Sequence, residues 1–148
     1  MEALVLPDIT AVPFDALDGT RLLGLDEPNG AARAVREGLS INAFDAVQAF
    51  LGVPAAQFAE AVGIAPRTLA RRRQAGRLAP DESDRLLRTA RLAEMALAAF
   101  EDADAAAAWF TEPKRLLGGE SPLRAADTAP GAREVEDMLY AVEFTAAA

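Results

Sequence analysis

The spacing of Gly63, Pro66 and Gly76 constrains the fold of this chain more than any other feature. Residues 57–62 carry one apolar face, and Gly63 follows where the chain needs a positive φ to leave a short helix. Pro66 suits the first position of a second helix, since an N–H group there would be unpaired anyway. The spacing therefore predicts two short helices joined by a tight turn, the second over residues 66–75.

The predicted second helix has a basic outer face. With about 100° per residue, Leu69 points towards the interior. Arg67, Arg71 and Gln74 then lie on the opposite face, at i, i+4 and i+7. Such side chains have the donors needed for base edges or phosphates in a major groove. The alternative interpretation is a solvated basic face that only balances the acidic remainder of the chain.

Neighbouring polar residues extend the predicted DNA contact. Thr68 is expected to contact base edges or phosphates together with the residues of the outer face. Supporting phosphate contacts or internal ion pairs are expected from Arg72, Arg73, Arg77 and Arg85. The full predicted DNA-binding set is Arg67, Thr68, Arg71, Arg72, Arg73, Gln74 and Arg77.

The charge of the chain is segregated. The net charge is −8, which argues against non-specific nucleic-acid binding by the whole chain. Residues 67–91, however, hold eight arginines against three acidic residues, so they carry +5 and the remainder carries −13. A basic patch within an acidic protein steers a polyanion to one face, while the acidic parts suit a basic protein partner.

Composition and periodicity predict an all-α fold. Apolar residues make up 51% of the chain, and much of that fraction is alanine, which favours helices. After a loosely ordered arm over residues 1–28, we expect a compact all-α domain over residues 29–101. Two helices are predicted before the pair of short helices: one over residues 30–37 capped by Asn29, and one capped by Asn42 that ends at Gly52. A long helix is predicted after the pair, from Pro80 to about Glu101. Its inward stripe is Leu86, Ala90, Ala93, Leu97 and Phe100.

A second, smaller helical domain is predicted over residues 102–148, because helix-start and helix-stop signals continue along the chain. Its predicted elements are an alanine-rich helix capped by Asp102 or Asp104 and ending at Trp109 and Phe110, a turn over residues 116–119, a short helix after Ser121 and a last helix after Gly131. The last helix carries an apolar stripe of Val135, Met138, Leu139 and Val142.

The residue types present exclude the common catalytic sites. The chain has no histidine and no cysteine, which rules out the usual catalytic triads and nearly all zinc sites. Its serines, Ser40, Ser83 and Ser121, each lie at a helix-start pattern without an evident base beside them. We therefore expect no enzymatic activity, no catalytic or metal-binding residue and no cofactor.

Neither a membrane segment nor a targeting segment is expected. No apolar run approaches the roughly 18 residues that a transmembrane helix needs. The N-terminus carries acidic residues where a secretion signal needs a basic start. Together with the lack of cysteine, these features favour a cytoplasmic protein without membrane contact.

Two groups of motifs, in one order along the chain, resemble a known family. The first comprises Gly38, Leu39, Gly63, Ile64, Arg67, Thr68, Leu69, Arg71, Arg72, Leu78, Ser83, Asp84, Arg85, Leu86 and Arg88. The second comprises Ala108, Trp109, Phe110, Pro113, Leu117, Gly118, Gly119, Ser121, Pro122, Leu123, Thr128, Gly131, Val135 and Leu139. In this order they resemble the Xre/MbcA/ParS antitoxins, most of all the Xre antitoxins paired with RES-domain toxins. Arg72 departs from many helix-turn-helix units, which have an apolar residue three positions beyond Leu69.

The resemblance implies an antitoxin of a type II toxin–antitoxin system, built from two modules. The helix-turn-helix module would dimerise and bind the promoter of its own operon, which represses it. The C-terminal module would bind and silence a toxin encoded by an adjacent gene, with its C-terminal end in or over the toxin's active site. RES-type toxins resemble ADP-ribosyltransferases and consume NAD, so such a toxin is the implied partner.

Candidate toxin contacts lie in the second domain. An aromatic side chain on a terminal helix can enter a cleft, and Glu143 can pair there with an arginine. The large apolar area of Trp109 equally fits a core position, and a solvated helix end is the alternative for the last residues. The candidate set is Trp109, Leu117, Pro122, Leu123, Tyr140, Glu143 and Phe144.

Two other functions stay open at this point. One is a stand-alone helix-turn-helix transcriptional regulator whose C-terminal part merely dimerises. The other is an interaction module whose arginines bind an acidic protein surface.

Overall fold

A computed structural model describes residues 30–147, so the expected arm over residues 1–28 and the Asn29 cap lie outside the described part. Within that part the secondary structure is helical, apart from one isolated bridge, and the predicted all-α class is confirmed. The helices are α1 (Gly30–Glu37), α2 (Ile41–Leu51), α3 (Ala55–Ala61), α4 (Pro66–Ala75), α5 (Pro80–Phe100), α6 (Ala103–Thr111), α7 (Pro122–Ala125) and α8 (Ala129–Ala147), with a 3₁₀ helix at Arg115–Leu117 before α7.

The long helix α5 organises the packing. It contacts α1, α2, α6 and α8. The buried apolar residues of α2, α5, α6 and α8 belong to one core, and partly buried residues of α1 pack against it. Helices before and after residue 101 therefore pack on the same element, and the two predicted domains share a core. The inward stripe of α5 follows the prediction, since Leu86, Ala90, Ala93 and Leu97 are buried and Phe100 is half-buried.

Helix α4 lies at the surface of this assembly. None of its residues is fully buried, and Leu69 is the residue that packs against the core. Its first position is Pro66, its last is Ala75, and Gly76 caps its end with φ 80°, as the sequence predicts. The face of α4 opposite Leu69 is thus available to a partner.

Several polar side chains of α5 are buried, which its apolar stripe does not predict. They are Glu82, Ser83, Thr89 and Glu94. The hydroxyl of Ser83 accepts the N–H of Leu39 at 2.8 Å and so satisfies a backbone donor between α1 and α2. Buried polar groups at the start of α5 therefore fix the neighbouring segments.

Two helix starts differ from the prediction. Ser40, not Asn42, caps α2, because its hydroxyl accepts the N–H of Asn42 at 3.2 Å. Gly131 lies inside α8 and does not precede it; a Cβ at this position would overlap the carbonyl oxygen of Ala125, so the approach of α7 to α8 requires glycine. The caps predicted for α6 and α7 are confirmed at Asp102 and Ser121.

Candidate nucleic-acid and partner-binding surfaces

Helices α3 and α4 form the predicted pair of short helices. Between them Gly63 adopts φ 74°, as a chain leaving a helix requires. Ile64, which is 2% exposed, inserts into the core and donates its N–H to the carbonyl oxygen of Ala59 at 2.8 Å. From α5, Arg85 donates its Nε–H to the carbonyl oxygen of Val62 at 2.8 Å. The turn is therefore held both by burial and by a side chain of the following helix.

The outer face of α4 presents the three side chains predicted for it. Arg67, Arg71 and Gln74 are exposed, and none has a hydrogen-bond or ion-pair partner among residues 30–147. Thr68 is half-exposed beside them. Because these donors are unengaged, they can bind base edges or phosphates without first breaking an internal bond.

Arg72 and Arg73 are engaged inside the chain. Arg72 Nε donates to Glu82 Oε1 at 2.7 Å, and the two side chains are only 24% and 7% exposed. Arg73 pairs with Asp45 of α2 at 3.1 Å, and its guanidinium lies 5.8 Å from the centre of the Phe44 ring. These contacts hold α4 against α5 and α2. Of the two roles expected for these arginines, phosphate contact or internal ion pair, the structure shows the internal ion pair.

Arg77 and Arg85 also make internal bonds. The guanidinium of Arg77 donates to the carbonyl oxygens of Gly38 at 2.9 Å and Glu37 at 3.3 Å. Arg85 adds an ion pair with Asp81 at 3.5 Å to its bond with the α3 turn. In the described part of the chain, the predicted DNA contacts that stay free of internal bonds are Arg67, Thr68, Arg71 and Gln74.

The contact with Arg72 also changes the acidity of Glu82. Burial by itself raises the pKa of this carboxyl group, because it disfavours the charged form. The hydrogen bond from Arg72, the N–H of Ala79 at 2.8 Å and the charge of Arg72 together outweigh burial, so the pKa lies below its ordinary value of 4.5. The same hydrogen bond raises the pKa of Arg72. Both groups are therefore ionised at neutral pH.

A second candidate surface lies towards the end of α8. Tyr140 is 53% exposed and Phe144, one turn later, is 80% exposed, while Glu143 between them is half-buried. The Tyr140 hydroxyl donates to Glu136 Oε1 at 3.4 Å, and the negative charge of Glu136 is the main cause that raises the pKa of Tyr140. Exposed aromatic side chains in acidic surroundings suit a partner with an apolar pocket and basic residues.

Leu116 is a functional candidate that the sequence reasoning missed. This residue is 83% exposed, compared with 80% for Phe144 and 53% for Tyr140. Its turn is closed because Gly119 N–H donates to Lys114 O and Lys114 N–H donates to Glu120 O, both at 2.9 Å. The neighbouring Leu117, which was predicted as a contact, packs against the core. Two adjacent leucines in a tight turn could have indicated an exposed leucine, since only one of the two can face inward.

Three other predicted contacts are packed within the chain. Pro122 and Leu123 are buried, so neither offers an exposed surface in the chain by itself. Trp109 is half-buried, with its ring 5.7 Å from that of Phe100 and 5.1 Å from the Lys114 ammonium group.

Residues 30–147 contain no group of three or more acidic side chains arranged to hold a metal ion. Over the same residues, no helix combines the length and the apolar character needed to cross a bilayer.

The fold and its two surfaces define a helix-turn-helix protein with an added helical binding module. Two family models match it in that order. The model of the antitoxin Xre-like helix-turn-helix domain matches residues 30–91. The model of the antitoxin Xre/MbcA/ParS C-terminal toxin-binding domain matches residues 95–144. The two matches meet within α5, the helix that both halves of the fold share.

Similar proteins support the same assignment. The chain is 33% identical to the antitoxin Xre of Yersinia enterocolitica over 127 residues, which cover 83% of this chain and 86% of the relative. It is 32% identical to the antitoxin Xre of Photorhabdus laumondii over 111 residues, 74% of this chain and 75% of the relative. A shorter match of 65 residues, 40% identical, covers 44% of this chain and 41% of the antitoxin Xre of Pseudomonas putida. The chain therefore belongs to the Xre antitoxin family.

Proposed function

We propose that this chain is the antitoxin of a type II toxin–antitoxin system and neutralises a RES-domain, NAD-consuming toxin by direct binding. The observation that carries the proposal is the exposed pair Tyr140 and Phe144 within the region that the toxin-binding model matches. The toxin is the product of the adjacent gene, and the end of α8 lies in or over its active site.

The residues near the end of α8 have the chemistry for such a cleft. Burial of Tyr140 and Phe144 in an apolar pocket supplies contact area at a low cost in side-chain entropy. The carboxylate of Glu143 pairs with an arginine that otherwise holds a phosphate or ribose of the toxin's substrate. Leu116 adds an apolar contact from a turn that is already ordered, so binding loses little conformational entropy there.

We further propose that α4 binds the promoter of the chain's own operon and represses it. The free donors of Arg67, Arg71 and Gln74 support this role. A homodimer within a larger toxin–antitoxin complex presents two copies of α4 to two half-sites. The protein acts in the cytoplasm, where both the DNA and the toxin are present. This function needs neither catalysis nor a cofactor.

Co-purification of the tagged chain with the product of the neighbouring gene tests this proposal. NAD consumption is measured on the neighbour alone and on the complex. We expect the neighbour to bind and its NAD consumption to be suppressed. If the neighbour does not bind, the alternative of a stand-alone helix-turn-helix regulator without a toxin partner replaces the antitoxin role.

A further inference from the structure

The end of α1 is fixed beside the end of α4. Ser40 and Arg77 form an isolated antiparallel bridge, next to which Leu78 N–H donates to Leu39 O at 2.8 Å. The guanidinium of Arg77 donates to the carbonyl oxygen of Gly38 at 2.9 Å. Gly38 adopts φ 90°, and a Cβ there would overlap the carbonyl oxygen of Leu78. The residues that directly follow α1 are therefore held against the residues that directly follow α4.

Helix α1 carries two arginines on its outward side. Ala31, Ala34 and Val35 pack against the core. With about 100° per residue, Arg33 and Arg36 point the opposite way. Both are exposed, and neither has a hydrogen-bond or ion-pair partner in the described part of the chain. They share this property with the free donors of α4 and differ from the arginines that fasten α4 to its neighbours.

We infer that Arg36, with Arg33 one turn earlier on α1, binds the DNA phosphate backbone at the edge of the groove that α4 enters. This inference rests on the DNA binding proposed above. Phosphates line both rims of the major groove, and the bonds between residues 38–40 and 77–78 hold the segment after Arg36 beside the end of α4. Two unpaired cations there attract a polyanion, although the chain as a whole carries −8.

A phosphate contact has a signature that a base contact lacks. It strengthens binding to every sequence, and each contact adds about 0.9 to the magnitude of the slope of log K against log salt. Removing Arg36 therefore lowers the affinity for a specific and a scrambled duplex by the same factor. The slope falls by about 1 in Arg36→Ala and by about 2 when Arg33 is removed as well.

The test is a fluorescence-anisotropy titration of the full chain with a labelled duplex from its own promoter and with a scrambled duplex, over a range of salt concentrations. The variants are Arg36→Ala and the double variant Arg33→Ala/Arg36→Ala. Arg133→Ala is the matched control, because Arg133 is an exposed arginine of α8 without a partner among the described residues. Its removal changes the net charge equally and is expected to leave the slope unchanged.

An unchanged slope in Arg36→Ala, with an unchanged melting temperature, overturns the inference. So does a loss of affinity confined to the promoter duplex, which identifies a base contact. An equal fall of the slope in Arg133→Ala also overturns it, because it identifies a net-charge effect.

Arg71→Ala distinguishes a failure of the α1 contact from a failure of the proposed DNA binding by α4. If Arg71→Ala loses promoter affinity while Arg36→Ala binds as the unsubstituted chain does, the proposed DNA binding stands and only the α1 contact fails. If the unsubstituted chain binds neither duplex, both fail.

Discussion

Arg72 and Glu82 join the last turn of α4 to the first turn of α5 through two hydrogen bonds, Nε to Oε1 at 2.7 Å and Nη2 to Oε2 at 3.3 Å. The same Oε1 accepts the N–H of Ala79 at 2.8 Å. One carboxylate thus orders the start of α5 and fixes the rotation of α4 about its axis. The pair occupies a position where many helix-turn-helix units have an apolar contact.

Replacing Arg72 by alanine is expected to lower the free energy of unfolding by about 1–3 kcal/mol, because Glu82 then keeps only a backbone N–H as partner while buried. Denaturant unfolding at neutral pH measures the change. Arg67→Ala is the matched control, since Arg67 lies on the free face of the same helix and should change stability by less than about 0.5 kcal/mol. Equal losses in the two variants would show that the pair does not stabilise the fold.

The pH dependence of stability follows from the lowered pKa of Glu82. Because the folded-state pKa lies below the ordinary value of 4.5, the contribution of the pair is complete above that value and is lost as the pH falls through the folded-state pKa. Glu82→Gln removes the contribution at every pH. We therefore expect the stability difference between the unsubstituted chain and Glu82→Gln to be largest near neutral pH and to shrink below pH 4.5. A difference that is constant from neutral to acidic pH contradicts this origin.

Gly38 and Gly52 provide a matched pair of glycine substitutions. Both adopt positive φ, 90° and 69°, but a Cβ at Gly52 meets nothing within 4 Å, whereas a Cβ at Gly38 overlaps a backbone carbonyl. Gly52→Ala should cost only the backbone strain, about 1–2 kcal/mol. Gly38→Ala should cost more than about 3 kcal/mol, since the neighbouring bridge between Ser40 and Arg77 must also shift. Thermal unfolding of the two variants measures the difference, and similar melting temperatures would argue against the close approach at Gly38.

Arg71→Ala is expected to weaken promoter binding by about 1–3 kcal/mol if its guanidinium makes a bidentate contact to a base. A gel-shift titration at fixed salt concentration measures the loss. Arg115→Ala serves as a control, because Arg115 is an exposed arginine of the C-terminal part. Unchanged affinity in Arg71→Ala would remove this residue from the DNA-binding set.

Leu116 and Leu117 are neighbours with opposite expected roles. Leu116→Ala should leave the free energy of unfolding within about 0.5 kcal/mol, since the side chain is exposed. It should weaken toxin binding by at least about 1 kcal/mol, roughly fivefold. Leu117→Ala should instead lower stability, because Leu117 packs against the core. Calorimetric titration of the purified partner, with unfolding curves of both variants, distinguishes the roles; a stability loss in Leu116→Ala reverses the assignment.

Much of the fold follows from local sequence signals. Glycine and proline mark both ends of α4, and the helical period places Arg71 on its outer face, because these features depend on residues close in the chain. The partners of Arg72 and Arg73 could not be predicted in this way. They depend on how α4 docks on α5 and α2, so a basic run alone does not separate free arginines from engaged ones.

Local sequence signals also predict only part of the C-terminal surface. The period of α8 predicts the burial of Val135 and Leu139, and the structure leaves Tyr140 and Phe144 exposed. A tight turn, however, has no period that could select Leu116 over Leu117. The burial of Leu123 was missed for a related reason: a four-residue helix is too short to show which face packs.

A growth assay with the neighbouring gene product tests most directly whether the end of α8 silences the toxin. The unsubstituted chain and Thr145→Ala, which alters an exposed side chain beside Phe144, should restore growth. A chain lacking residues 140–148 should fail to restore growth while it still dimerises and binds promoter DNA. Growth restored by the truncated chain would contradict the account.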